Sequence, residues 1–188
     1  RVGRRPAVMR LFYGLRLPSE ALHSMEQLQN QLRAQFPRAR FPAPETFHVT
    51  LAFLGDTPVQ RLDAAKRVVN ALLPAPLDLQ VSHWGSFPQE KGEVLWLGLD
   101  PSPELDRLHR LLAHRLQEAG FPLESRRFQP HVTLARQVPF VSPDTPRKLP
   151  AFSPFPLPCE TVSLLRSHLL PQGARYEELA CCCSKLPV

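Results

Sequence analysis

Two short stretches carry the residues that could do chemistry. Phe47-His48-Val49-Thr50-Leu51-Ala52 occurs again as Pro130-His131-Val132-Thr133-Leu134-Ala135, with His-Val-Thr-Leu-Ala identical in both copies. In a strand, alternate side chains share a face, so each copy aims an imidazole and a hydroxyl one way and Val and Leu the other. Packing does not demand the same polar pair twice, whereas a cleft with one such strand on each wall does. Imidazole titrates near neutrality, so one histidine can take a proton while the other gives one. A zinc ion would be short of ligands, because no Asp, Glu or Cys lies at ligand spacing beside either copy. A threonine two residues from its histidine on the same face is a neighbour rather than an activated nucleophile. Paired acid and base catalysis on an anion remains, and a phosphodiester fits, since in-line attack at phosphorus needs the acid and the base on opposite walls. Arg136 follows the second copy at His + 5. In a regular strand it faces away from His131, unless a bulge re-aims it.

The chain must position these two strands. Its 188 residues, 43% apolar, suffice for a core in one bilobal domain over residues 9–188. Residues 1–8 lack periodicity and read as an extension, either disordered or left over from expression. Met9–Leu17 reads as a buried strand. Ser19 is expected to cap a helix with the stripe Leu22, Met25, Leu28, Leu32, Phe36. The first repeated strand is expected over His48–Leu54. Thr57-Pro58-Val59-Gln60 resembles a capping box opening a helix through Leu62, Ala65, Val69 and Leu72. Strands at Leu77–Phe87 and Val94–Leu99 follow. Ser102 caps a third helix carrying Leu105, Leu108, Leu112 and Leu116, with Gly120 at its C-terminal end. His109 and His114 read as surface residues on it. Pro139–Pro158 reads as a connector, and Thr161–Leu170 and Tyr176–Leu179 as closing strands. The expected class is α+β: two antiparallel sheets lining a central cleft, with helices outside.

Composition sets limits. The formal charge of +6 falls to +3 without Arg1, Arg4 and Arg5, which permits a nucleic-acid partner without demanding one. No apolar run reaches the roughly 20 residues of a membrane span. Cys159 and the run Cys181–Cys183 lack disulfide or zinc spacing and read as small apolar fillers in a reducing compartment. A cytoplasmic monomer is the expectation. Phe12, Phe47 and Phe128 are the candidates for stacking a base, with core packing as the simpler reading. Ser167 and Tyr176 read as structural.

The pair of His-x-Thr motifs resembles that of the two-histidine phosphoesterases. Arg10-Leu11-Phe12, Phe53-Leu54-Gly55, Ala135-Arg136, Ser167 and Gly173-Ala174-x-Tyr176-Glu177 narrow the resemblance to the bacterial and archaeal RNA 2′,3′-cyclic phosphodiesterases, also called 2′-5′ RNA ligases. The resemblance implies a bilobal fold, no metal or other cofactor, and hydrolysis of an RNA 2′,3′-cyclic phosphate or cyclic nucleotide to a 2′-phosphate. Reversible, ATP-independent 2′-5′ joining is implied as well. By position, His48 would protonate the leaving 3′-oxygen, His131 would activate water, and Thr50, Thr133 and Arg136 would hold the phosphate. Gly14, Ala52 and Gln129 depart from common family residues, the last two by losing positive charge. The competing readings are a non-catalytic binder of RNA termini or nucleotides, and a two-histidine enzyme for another cyclic or 2′-5′ phosphodiester.

Overall fold

The computed structural model describes residues 5–144 and 146–183. Eight strands and three α-helices run in the order β1 (Val8–Leu15), α1 (Ser19–Gln35), β2 (Val49–Pro58), α2 (Leu62–Asn70), β3 (Leu77–Gln89), β4 (Gly92–Leu99), α3 (Pro103–Glu118), β5 (His131–Val138), β6 (Phe155–Cys159), β7 (Thr161–Leu170) and β8 (Gly173–Cys183). They form two four-stranded sheets, β2-β1-β7-β8 and β5-β4-β3-β6, with every pairing antiparallel. The α+β, two-sheet expectation holds.

Each repeated motif lies on an edge strand, β2 in one sheet and β5 in the other. The inward residues of β1 (Leu11, Tyr13, Leu15) and β4 (Leu95, Leu97, Leu99) are buried, as the two-residue period requires. Val49, Leu51, Val132 and Leu134 join the same apolar cluster. The helices supply the rest through Met25 and Leu32 of α1, Ala65 and Val69 of α2, and the full leucine stripe of α3. α2 packs against β7 and β8, α3 reaches β2, and α1 reaches β5 and β6, so the helices tie the two sheets together.

Several local expectations change. β1 begins at Val8, paired with Pro58, and the Ala7 carbonyl accepts from Val59 N–H. Val8 of the expected extension therefore joins the sheet, Ala7 is bonded to the turn after β2, and residues 1–4 lie outside the described ones. Ser19 is inside α1, whose N-cap is Pro18 with no side-chain cap bond. The capping box at Thr57 is not made: Thr57 Oγ1 donates to the Gly55 carbonyl at 3.0 Å, β2 runs on to Pro58, and α2 starts at Leu62 after a 3-10 turn. Ser102 does cap α3, accepting from Leu105 N–H at 3.1 Å, and Gly120 closes it at φ +80°. The proline-rich connector hides β6, in which Phe155, Leu157 and Cys159 pair with β3. As an edge strand β6 tolerates Pro156 and Pro158. Cys159 is buried, but Cys181 and Cys183 are exposed on β8, the other edge strand, and so are not core fillers. Among the described residues no helix is long and apolar enough to cross a membrane.

Candidate active site

His48 and His131 line one cleft of about 630 Å³, together with Thr50, Thr133, Arg136, Arg40 and Tyr176. One wall is the segment Arg40 to Phe47. Another is the β7–β8 hairpin turn, Pro171 to Ala174.

Both imidazoles are held the same way. His48 Nδ1–H donates to the Thr46 carbonyl at 2.7 Å, and His131 Nδ1–H donates to the Gln129 carbonyl at 2.6 Å. With Nδ1 committed to a backbone acceptor, Nε2 is the atom left for chemistry. In the neutral form, His48 Nε2 accepts from Thr50 Oγ1 at 2.8 Å. Burial holds the His48 imidazole below its ordinary pKa. The Thr46 bond opposes this, and the charges of His131 and Arg136 add to the lowering. His131 is lowered by burial and by Arg136, against the Gln129 bond. Both rings therefore favour the neutral form, and an anion placed between them pulls both pKa values back up.

The sequence left Arg136 on the wrong face, and the sheet explains how it turns. Ala135 pairs with Leu95 while Thr133 pairs with Trp96, so Leu134 is an extra residue. This bulge buries Leu134 and Ala135 together and returns Arg136 to the side of His131 and Thr133. A second irregularity and a left-handed Gln137, φ 55°, follow it. The β2 strand bulges at the matching residue, Leu51, since Ala52 pairs with Tyr13 and Thr50 with Gly14. The internal repeat thus extends to backbone irregularity as well as side chains.

The Leu134 bulge is braced from outside its sheet. Gln29, fully buried on α1, donates from Nε2 to the Leu134 carbonyl at 3.0 Å and to the Pro42 carbonyl at 2.7 Å. Arg40 and Arg136 exchange both backbone bonds, 2.8 and 2.7 Å. Nothing in the α1 pattern singled Gln29 out; its mark in hindsight is an amide on the buried stripe of an amphipathic helix.

Each histidine also rests on two aromatic rings. His48 lies 4.8 Å from Phe12 and 5.3 Å from Tyr176, and His131 lies 5.1 Å from Phe87 and 5.4 Å from Trp96. Of the expected base-stacking residues, Phe12 is buried behind His48, Phe47 lines the cleft with little exposure, and Phe128 stacks on His109 at 3.9 Å, away from the cleft lining. Tyr176, read as structural, lines the cleft. Its phenol is raised by burial, with Arg136 and Arg10 acting in opposition. Among the described residues no group of three or more His, Cys, Asp or Glu is placed to hold a metal ion.

Two antiparallel sheets, each presenting one His-x-Thr strand to a shared cleft, define a two-histidine phosphoesterase. The 2′-5′ RNA ligase superfamily model matches residues 48–169. The RNA 2′,3′-cyclic phosphodiesterase of Thermus thermophilus is 30% identical, over 91% of this chain and 88% of its own length. That of Geobacillus stearothermophilus is 29% identical over 90% of this chain, which spans 55% of the relative's length. In structure, Escherichia coli LigT complexed with 3′-AMP superposes with a TM-score of 0.77 at 24% identity, covering 96% of this chain and all of LigT. The chain belongs to the 2′-5′ RNA ligase superfamily.

Proposed function

We propose that this protein hydrolyses RNA 2′,3′-cyclic phosphate ends to 2′-phosphates by paired histidine catalysis, without a metal. The observation that carries the reading is the convergence of His48 and His131, from edge strands of different sheets, on one cleft with Thr50, Thr133 and Arg136. The names of the curated relatives point to the same substrate.

In this reading His131 Nε2 takes a proton from water as the water oxygen bonds to phosphorus. The bond from phosphorus to the 3′-oxygen breaks, and that oxygen takes the proton from His48 Nε2. The products are a 2′-phosphate and a 3′-hydroxyl. His131 is left protonated and His48 neutral, and solvent exchange resets the pair. Binding of the anion first protonates His48 at Nε2, which frees the Thr50 hydroxyl to donate to a phosphate oxygen; Thr133 does the same from the other wall, and Arg136 neutralises the anion. An RNA 5′-hydroxyl in the place of water gives a 2′-5′ bond by the same steps, which is the joining that the superfamily's name describes. One chain supplies both histidines, so a monomer is sufficient, and four cysteines without disulfide or zinc spacing suit a reducing cytoplasm.

The test is to incubate the protein with EDTA and an RNA ending in a 2′,3′-cyclic phosphate. A 2′-phosphate product supports the reading. A 3′-phosphate, or binding without turnover, contradicts it.

A further inference from the structure

The cleft holds more positive charge than its reaction uses. A cyclic phosphodiester carries one negative charge, and Arg136 stands where that charge forms, since its field reaches both imidazoles. Arg40 lines the same cleft, on the wall formed by residues 40 to 47.

Arg40 is held in place. Its backbone is bridged to Arg136 in both directions, and two residues later the chain is tied down again where the Pro42 carbonyl accepts from buried Gln29. Two backbone bonds at Arg40 and the Gln29 amide at Pro42 order this stretch of cleft wall, at a cost in chain entropy that a merely solvated segment does not bear. The cleft volume is within the range that takes a nucleotide, well beyond a single phosphoryl group. A guanidinium is suited to phosphate oxygens, which it can meet with paired N–H donors.

From this placement we infer that Arg40 binds the phosphodiester one nucleotide upstream of the cyclic end, so that the enzyme prefers oligonucleotides to mononucleotides. The inference rests on the proposed activity and deepens it. Arg136 holds the phosphate that reacts, and Arg40 holds the next one, which only a chain of two or more nucleotides possesses.

The test compares kcat/KM of the wild type and Arg40→Gln on three substrates. These are a 2′,3′-cyclic mononucleotide, a dinucleotide ending in a 2′,3′-cyclic phosphate, and the same dinucleotide with an uncharged methylphosphonate upstream linkage. The wild type is expected to favour the charged dinucleotide over the uncharged one, and Arg40→Gln to shrink that preference about tenfold, the effect of one charge-assisted contact. The salt dependence of kcat/KM for the charged dinucleotide should flatten by about 0.7 in log-log slope, as one phosphate contact on a single strand implies. Equal losses on all three substrates, or a preference that survives the substitution, overturn the inference. A wild type that turns over none of the three refutes the proposed activity itself, and the inference falls with it.

Discussion

Gln29 reaches across 105 residues of sequence to donate to the Leu134 carbonyl, and through that one bond helix α1 grips the bulge that aims Arg136. The amide has no exposure to water, and its second bond, to Pro42, fixes the segment carrying Arg40. Removing it leaves two carbonyls short of a partner, at a cost of about 1–3 kcal/mol for each one that water cannot reach. Gln29→Met, close in volume, should destabilise the fold by about 2 kcal/mol in denaturant titration. It should also lower kcat/KM through Arg136, so in an Arg136→Ala background the same substitution should cost little further activity. Full additivity of the two losses would show that Gln29 acts on stability alone.

The two lowered imidazoles make stability depend on pH. In the unfolded chain each histidine titrates near 6.5, while in the native cleft both titrate lower. Below pH 6.5 the unfolded state binds more protons, so the stability contributed by the neutral rings is fully present above that pH and is lost as pH falls from there through the lower folded values. Denaturation midpoints measured from pH 7.5 to pH 5 should fall. Inorganic phosphate reverses the sign at the site, because an anion between the rings favours their charged forms. Calorimetry at pH 6.5 should therefore show proton uptake on phosphate binding, in an amount that vanishes in a variant with both His48 and His131 replaced by Asn.

The aromatic platforms should be sensitive to volume on the far side of the ring. Trp96 lies over Gly85, where an added Cβ would come within 2.1 Å of the indole. Gly85→Ala must push Trp96, and with it the ring that His131 rests on. The expectation is a stability loss of about 1–3 kcal/mol with a reduced kcat. Serine at the same position should do likewise, and unchanged kcat in both variants would mean that the Trp96 contact does not position His131.

How much of this was legible in the sequence follows from where each signal lies. The two motif strands are readable because the same five residues recur, and the helices because Leu105, Leu108, Leu112 and Leu116 keep the helical period. Arg136 was not placeable from strand parity. A bulge at Leu134 leaves no local mark, because leucine sits equally well in a regular strand. β6 was hidden because Pro156 and Pro158 read as breakers until β6 is known to be an edge strand, where a missing N–H costs nothing. Gln29 was invisible for a related reason: its two acceptors are backbone carbonyls of residues 42 and 134, which no pattern within α1 encodes. Tyr176 was assigned to packing because its distance from His48 is set by the order β2-β1-β7-β8, a property of the sheet rather than of its own strand.

The expectation is that His48 and His131 act as one acid and base pair. Its most direct test is single-turnover hydrolysis of an RNA 2′,3′-cyclic phosphate by wild type, His48→Ala, His131→Ala and the double variant, each first checked for its denaturation midpoint. Each single substitution should lower the chemical step by about 10²–10⁴-fold with the fold intact. The double variant should lose far less than the product of the two, because the residues work as a unit. A His131→Ala protein that cleaves at the wild-type rate would contradict the account.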